Sequence, residues 1–180
     1  MLTLIVLTAV VQKITIEVTN IANSHPMMIA FQGEPGSYSD KAARELLGPS
    51  IITLPKQSFE EVFNAAYFGE ADYCVVPIEN SLGGSIHTNY DLILRYDLHI
   101  IAEHELRAEH SLLASPEVSE DWDNNFTRFL LLACQPVSSQ IPPQMAAKTS
   151  IVFVLENTPS ALCKALACFS LRDIGMPQMF

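Results

Sequence analysis

The chain has 180 residues, which is enough for one well-formed core, or for one domain with a fragment of a second. It carries 10 Lys and Arg against 20 Asp and Glu, so its formal charge is -10. This charge repels nucleic acid and anionic lipid, and we expect neither as a partner. A small dianionic substrate is compatible with it, because backbone N–H groups and one arginine can bind an anion locally.

The first dozen or so residues are apolar, but a membrane-spanning helix needs roughly 20. They lack the basic start of a signal peptide and the Arg and Ser enrichment of a transit peptide. We therefore expect residues 1–27 to form a strand or a poorly ordered leader. The expected location is the cytoplasm, or the plastid if the source is a photosynthetic eukaryote.

Cysteines and histidines show no metal-site spacing, so we predict neither a metal nor a cofactor. The cysteines have apolar neighbours, which predicts buried free thiols in a reducing compartment. The residues concerned are Cys74, Cys134, Cys163, Cys168, His87, His99, His104 and His110.

From Met28 onward, strand-like and helix-like segments alternate, which predicts an α/β layer around a central sheet. Ser37 or Ser39 is expected to cap the first helix, and Ser58 with Glu61 forms a capping box for the second. Predicted strands cover 28–32, 51–54, 71–78, 98–103, 106–114, 126–133 and 150–155. The first predicted helix follows the Ser37 or Ser39 cap and ends before Gly48. Further helices are predicted from Ser58 to Gly69 and over about 87–96 and 159–171, with loops at 79–85 and 115–125.

Polar side chains concentrate in three segments. The glycine-rich turn 33–39 could bind a phosphate or carboxylate, or be a tight turn with a serine cap. The loop 79–85 places an acid, an amide and hydroxyls at the carboxyl end of a buried strand, where α/β sheets bind ligands. In the segment 124–129, Thr127 and Phe129 share one strand face, while Phe126 and Arg128 share the other. An arginine there needs an anionic partner.

These segments, AFQGEPGSYSDKAA, VVPIENSLGGSIHTNYDLIL and NNFTRF, resemble the three signature blocks of the prephenate and arogenate dehydratases, in the same order. KTSIVFVLENTPSALCKALACFSLRDI resembles the opening strand and helix of an ACT regulatory domain. The resemblance implies an open α/β sheet like one lobe of a type II periplasmic binding protein, followed by a truncated ACT-like (ferredoxin-like) βα segment. The implied domains are a catalytic domain at 28–134, a linker at 135–148 and a partial ACT domain at 149–180.

The chemistry implied is the decarboxylating dehydration of prephenate to phenylpyruvate in L-phenylalanine biosynthesis, or of arogenate to phenylalanine, without a cofactor. By the same resemblance, Thr127 is the proton donor to the departing hydroxyl. Arg128 supports it, and Glu79 is either a second acid or a loop anchor. The expected substrate-binding residues are Ser37, Ser39, Asn80, Ser81 and Phe129.

The chain departs from the family pattern in two places. Most of the second lobe is missing between residues 114 and 126, and the ACT segment ends after one helix, without its ESRP motif. Ser160 stands where the family usually has Gly, and we expect no strong response to phenylalanine. The alternative function is a catalytically inactive truncated paralogue or gene-model fragment that acts as a binding or assembly module. A periplasmic ligand-binding protein is disfavoured because no export signal is evident. A complete chain would form a homo-oligomer.

Overall fold

The fold is built around one mixed sheet with helices on both of its faces. The structure, a computed structural model, describes residues 2–6, 26–109, 124–136 and 151–176. Its strands are β1 (Leu2–Val6), β2 (Met28–Gln32), β3 (Ile52–Lys56), β4 (Tyr73–Asn80), β5 (Gly84–Ser85), β6 (His99–Arg107), β7 (Phe126–Ala133) and β8 (Ile151–Leu155). Its helices are α1 (Tyr38–Leu47), α2 (Phe59–Tyr67), α3 (His87–Tyr96) and α4 (Ala161–Ser170). The predicted α/β class is confirmed.

The strand order of the main sheet decides where the polar segments meet. The order is β3-β2-β4-β7-β6, and the short β5 pairs with β4. β2, β3 and β4 are parallel to one another, whereas β7 is antiparallel to both of its neighbours. The amino end of β7 therefore lies beside the carboxyl ends of β2 and β4. We call this side of the sheet the site edge.

Two apolar clusters hold the sheet, one on each face. Phe129 and Leu131 point to the face covered by α1, while Leu130 and Leu132 point to the face covered by α2 and α3. This alternation buries β7 on both sides, and its last five residues are all buried. A strand that is buried on both faces reads as a continuous apolar run, which is why its bounds were predicted correctly.

The predicted helix caps are present. Ser37 accepts a hydrogen bond from the Asp40 N–H, and α1 ends at Gly48, whose φ of 91° favours glycine. Ser58 caps α2 by accepting from the Glu61 N–H at 3.3 Å. The capping box is shifted, however, because the Glu61 carboxylate accepts from the N–H of residue 57, at 3.1 Å, rather than from that of Ser58.

One predicted pair of strands is a single strand. We predicted a break after residue 103, but β6 continues through His104 and Glu105 to Arg107. The polar residue His104 is accommodated because its Nε2 lies 2.7 Å from a carboxylate oxygen of Glu45 on α1. Residues 110–114, which we also placed in a strand, lie outside the described part of the chain.

The predicted loop 79–85 is in part a hairpin. β4 runs on through Glu79 and Asn80, and β5 folds back so that Ser85 pairs with Glu79 and Gly84 pairs with Asn80. Both polar residues are thereby held by strand pairing rather than by a loop. The strand continues because β7 offers it a partner as far as Thr127.

The N-terminal strand pairs with the strand that precedes α4. β1 and β8 form a two-stranded antiparallel sheet, with Leu2 opposite Leu155 and Val6 opposite Ile151. Residues 7–25 and the predicted linker beyond residue 136 lie outside the described residues.

No residue of α4 is buried. The prediction of four buried thiols is consequently wrong, because only Cys74 is buried, whereas Cys134, Cys163 and Cys168 are exposed.

Candidate functional site

Asn80 and Thr127 face each other across the β4–β7 ladder at the site edge. The Asn80 Nδ2 donates to Thr127 Oγ1 at 2.9 Å, and it also lies 2.7 Å from Asn125 Oδ1 and 3.2 Å from the Phe126 carbonyl oxygen. The end of one strand is thus tied to the start of the other by a single side chain. Both residues were predicted site residues, but their contact with each other was not predicted.

The orientation of the Asn80 amide is fixed by its surroundings. Its Oδ1 accepts from the backbone N–H groups of Leu82 at 3.0 Å and Gly83 at 2.7 Å. Because a backbone N–H can only donate, the oxygen must face the turn and the nitrogen must face β7. Thr127 Oγ1 therefore receives a hydrogen bond, and no acceptor for its own hydrogen lies among the described residues.

Ser81 joins β4 to the segment before β7. Its hydroxyl donates to the Asn124 carbonyl at 2.6 Å and accepts from the Phe126 N–H at 2.9 Å. Its own N–H donates to the Phe126 carbonyl at 2.8 Å. These bonds give Ser81 a structural role at the site, and its predicted contact with substrate stays a prediction.

Glu79 and Arg128 form an ion pair on the opposite face of the sheet from Thr127. The carboxylate and guanidinium lie 3.4 Å apart, and both side chains are partly exposed. They face the α3 side, where Tyr90 is buried. Burial, reinforced by the Glu79 charge, raises the pKa of Tyr90 to about 12. The anionic partner that we expected for Arg128 is present within the protein.

The glycine-rich turn leads from β2 into α1 at the site edge, on the face that Thr127 shares. Three of its backbone amides are used internally: Gly33 donates to Lys56 O at 3.0 Å, Gly36 to Asp40 Oδ2 at 3.0 Å and Ser37 to Glu34 O at 3.0 Å. Ser37 is half-buried and Ser39 is only 8% exposed. β4 lies between β2 and β7 in the sheet, so the turn and Thr127 follow strands that are not direct neighbours.

Asp40 holds this turn in place. It is 5% exposed, and its carboxylate accepts from Gly36 N–H and from Arg44 Nε at 3.1 Å. Arg44 also donates to Thr53 on β3 at 3.1 Å. Burial alone would raise the pKa of Asp40, but the hydrogen bonds from Gly36 and Arg44 outweigh it and lower that pKa below its usual value.

Replacing Asp40 with Asn is expected to lower the free energy of unfolding at pH 7 by about 1–2 kcal/mol, because the charge-assisted bonds are weakened. A lowered folded-state pKa stabilises the protein fully above the unfolded value of about 3.9, and this is lost as the pH falls through the folded value. The gap between parent and Asp40→Asn in urea unfolding should therefore shrink below about pH 4. An equal gap at pH 7 and at the lowest pH that permits folding would contradict this.

Phe129 belongs to the interior. It is 2% exposed and packs in the cluster beneath α1 with Ile29 and Leu131, so its described contacts are those of a core residue. Its predicted contact with substrate is not supported by this position and stays a prediction.

Ser160, at the start of α4, has φ of 65° and no side-chain cap bond. Its backbone conformation favours glycine, the residue that is usual here in the family it resembles.

Asn89 was not among the predicted site residues. It is fully buried on α3 and donates from Nδ2 to the Pro77 carbonyl at 2.7 Å. The available signal was Pro77 itself, since a proline inside a central strand indicates an irregularity in the ladder. Within the described ranges, no three metal-ligating side chains cluster. No helix in the same ranges has the length and hydrophobicity to span a membrane.

Comparison with characterised proteins gives this site a family context. Residues 29–122, just over half of the chain, match the family described as prephenate dehydratase. Arogenate dehydratase/prephenate dehydratase 1, chloroplastic, from Arabidopsis thaliana is 33% identical over 221 aligned positions, covering 84% of this chain and 56% of the relative. The chain thus spans about half the length of this relative. Because the alignment is much longer than the covered part of the chain, the relative contains a stretch with no counterpart here.

Solved structures share the fold. Prephenate dehydratase from Streptococcus mutans has a TM-score of 0.56 and 26% identity, covering 81% of this chain and 70% of that one. Prephenate dehydratase from Arthrobacter aurescens, in complex with L-Phe, has a TM-score of 0.67 but 19% identity, covering 81% and 72%. The quorum quenching acylase GqqA has a TM-score of 0.54 and 30% identity, covering 80% and 66%. The fold therefore hosts more than one named activity, while the sequence match is specific: the chain belongs to the prephenate dehydratase family.

Proposed function

We propose that this chain carries the proton-donating part of a prephenate or arogenate dehydratase site, and that it catalyses the decarboxylating dehydration of one of these substrates. The observation that supports this most is the bond from Asn80 Nδ2 to Thr127 Oγ1. It leaves the hydroxyl hydrogen of Thr127 free to point away from the protein, towards a departing hydroxyl group. A donor of this kind is what the elimination requires.

The reaction breaks two bonds of the substrate ring. The bond to the ring carboxylate breaks to release CO₂, and its electron pair enters the ring, which becomes aromatic. The C–O bond breaks with its electron pair on the departing oxygen, which takes the Thr127 proton and leaves as water. Thr127 regains a proton from solvent, so one proton is consumed in each turnover.

A free threonine is a weak acid, so its surroundings must stabilise the oxygen that loses the proton. Asn80 Nδ2 donates to that oxygen at 2.9 Å. A fixed amide donor lowers the free energy of developing negative charge without reorganising during the reaction. Asn80 therefore supports Thr127 as the acid, which is the contribution that a proton donor with a high intrinsic pKa needs.

The remaining predicted residues divide between two faces of the sheet. Ser37 lies on the face of Thr127, where its hydroxyl could bind a carboxylate of the substrate. Glu79 and Arg128 lie on the other face and pair with each other. This favours the role of Glu79 as an anchor over that of a second acid. Arg128 supports the site through that ion pair.

The proposed location is the plastid, and it rests on the word chloroplastic in the names of the Arabidopsis relatives. A fluorescent fusion to the C-terminus of the full gene product, imaged in leaf cells, tests it. Co-localisation with chlorophyll is expected, whereas diffuse cytoplasmic fluorescence would contradict it.

The function is tested by incubating the purified chain with prephenate and, separately, with arogenate. Phenylpyruvate absorbance and phenylalanine by mass spectrometry are the readouts, and spontaneous acid-catalysed conversion is subtracted with a sample lacking protein. We expect enzyme-dependent product from at least one substrate. Absence of turnover by a folded chain with either substrate would contradict the proposal and favour the non-catalytic assembly module.

A further inference from the structure

The ladder between β4 and β7 contains a β-bulge directly before the site. Val75, Val76 and Pro77 are paired in steady register with β7, but the register then shifts so that Glu79 is opposite Arg128. Ile78 is the additional residue on β4. Strands accommodate such an insertion by turning two successive side chains to the same face. Ile78 packs in the cluster on the α2 and α3 face, and Glu79 meets its ion-pair partner on that face.

This one extra residue brings Asn80 to Thr127. Continuing the register of Pro77 and Phe129 without a bulge would place Glu79, rather than Asn80, opposite Thr127. A shift by one residue also moves side chains to the other face of a sheet. Asn80 would then point towards α3, and the bond from its Nδ2 to Thr127 Oγ1 could not form.

The start of α3 holds the bulge. Asn89 Nδ2 donates to the carbonyl of Pro77 at 2.7 Å, and the Ile86 N–H donates to the carbonyl of Ile78 at 2.9 Å. The carbonyls of Pro77 and of the inserted residue Ile78 therefore both accept hydrogen bonds from the segment 86–89. Pro77 contributes no N–H of its own, which reduces the number of ladder bonds that the bulge must break.

An asparagine at position 89 is unfavourable for the stability of the fold. It is 0% exposed, and its Oδ1 has no hydrogen-bond partner among the described residues. A buried, unsatisfied polar atom destabilises a fold. A leucine or valine would avoid that cost on the apolar face of α3. The donor that Asn89 offers to Pro77 gives this residue a use that an apolar side chain could not supply.

We propose that Asn89 is a positioning residue, which fixes the bulge in β4 and so keeps Asn80 aligned with Thr127. The functional part of this inference rests on the proposed dehydratase function, but the alignment itself does not. It acts through Asn80 and need not touch the substrate. Its removal is expected to loosen the site edge while the rest of the sheet keeps its pairing.

The sharpest variant is Asn89→Asp, because it keeps the size and shape of the side chain and replaces only the Nδ2 donor. As a carboxylate it cannot donate to the Pro77 carbonyl, but as a protonated acid it can. A buried carboxylic acid holds its proton to a higher pH than an exposed one. We therefore expect the variant to loosen the site edge at high pH and to resemble the parent at low pH. If Asn89 only filled space, the variant would show no such dependence on pH.

The measurement is amide hydrogen exchange, with variant and parent compared at the same pH. At pH 8 the Ser81 amide, which donates to Phe126, should exchange at least about 10-fold faster in Asn89→Asp, while amides in 73–76 should stay within about 3-fold. At pH 5 the difference should largely disappear. Leu92→Ala, which truncates another buried side chain of α3, is the control and should affect both groups of amides alike.

Two outcomes would overturn the inference: an unchanged Ser81 amide in Asn89→Asp at pH 8, or equal acceleration of both groups of amides. Asn89→Ala provides the same comparison at a single pH if the Asp variant does not fold. Turnover is a second, independent readout. The ratio of kcat in Asn89→Asp to kcat in the parent should rise towards one as the pH falls. A parent without turnover but with the expected exchange pattern would refute the proposed function and still support the alignment.

Discussion

Thr127→Ala is expected to lower kcat by about 10²–10⁴, the range by which a positioned general acid accelerates a reaction. The variant lacks the Thr127 hydroxyl hydrogen, which we propose is transferred to the departing hydroxyl group. Thr127→Ser keeps that hydrogen and should retain most of the turnover. Both are compared with the parent under saturating prephenate or arogenate, whichever the parent converts.

Thr158 provides the matched control for this substitution. It is exposed between β8 and α4, outside the main sheet, so Thr158→Ala should leave kcat within about 2-fold of the parent. Circular dichroism and urea unfolding show whether each variant is folded. A folded Thr127→Ala protein with parental kcat would remove Thr127 from the mechanism.

Asn80→Asp has the second-largest expected effect. The variant keeps an oxygen for the Leu82 and Gly83 amides but loses the Nδ2 donor to Thr127. The Thr127 hydroxyl would instead donate to the new carboxylate, which takes its hydrogen away from the substrate. Loss of one fixed donor to developing charge typically costs about 10²–10³ in kcat, and we expect a fall in that range.

The control for Asn80→Asp is Asn157→Asp, which introduces the same charge at an exposed position just after β8. It separates the loss of the donor from a general effect of added negative charge. We expect kcat for the control to match that of the parent. Equal losses in the two variants would mean that charge, rather than the lost Nδ2 donor, explains the result.

Much of the secondary structure could be predicted because local patterns determine it. β2, α3 and β7 have the predicted bounds, since each combines a clear apolar period with turn residues at its ends. β6 was divided wrongly at His104, because the Glu45 side chain that accommodates this histidine comes from α1, 59 residues earlier in the chain. A contact over that separation leaves no periodic trace in the sequence.

The site was predicted as a set of residues but not as an arrangement. Strand alternation separated Thr127 from Arg128 correctly, because that period is local. The pairing of Asn80 with Thr127 depends on register between strands that are 46 residues apart at their facing ends, and on an inserted residue within one of them. Pro77 indicated that irregularity, but the hydrogen bond from Asn89 to the Pro77 carbonyl is visible only in the fold.

If Asn80 acts through Thr127, the effects of substituting the two residues are not independent, and a double-mutant cycle measures this. kcat is measured for the parent, Asn80→Asp, Thr127→Ala and the double variant. If Asn80 acts by donating a hydrogen bond to the Thr127 oxygen, substituting Asn80 should not lower kcat further in a protein that lacks that oxygen. We predict that the double variant is within about 3-fold of Thr127→Ala alone. A double variant whose loss in kcat equals the product of the two single losses would show that Asn80 acts independently of Thr127.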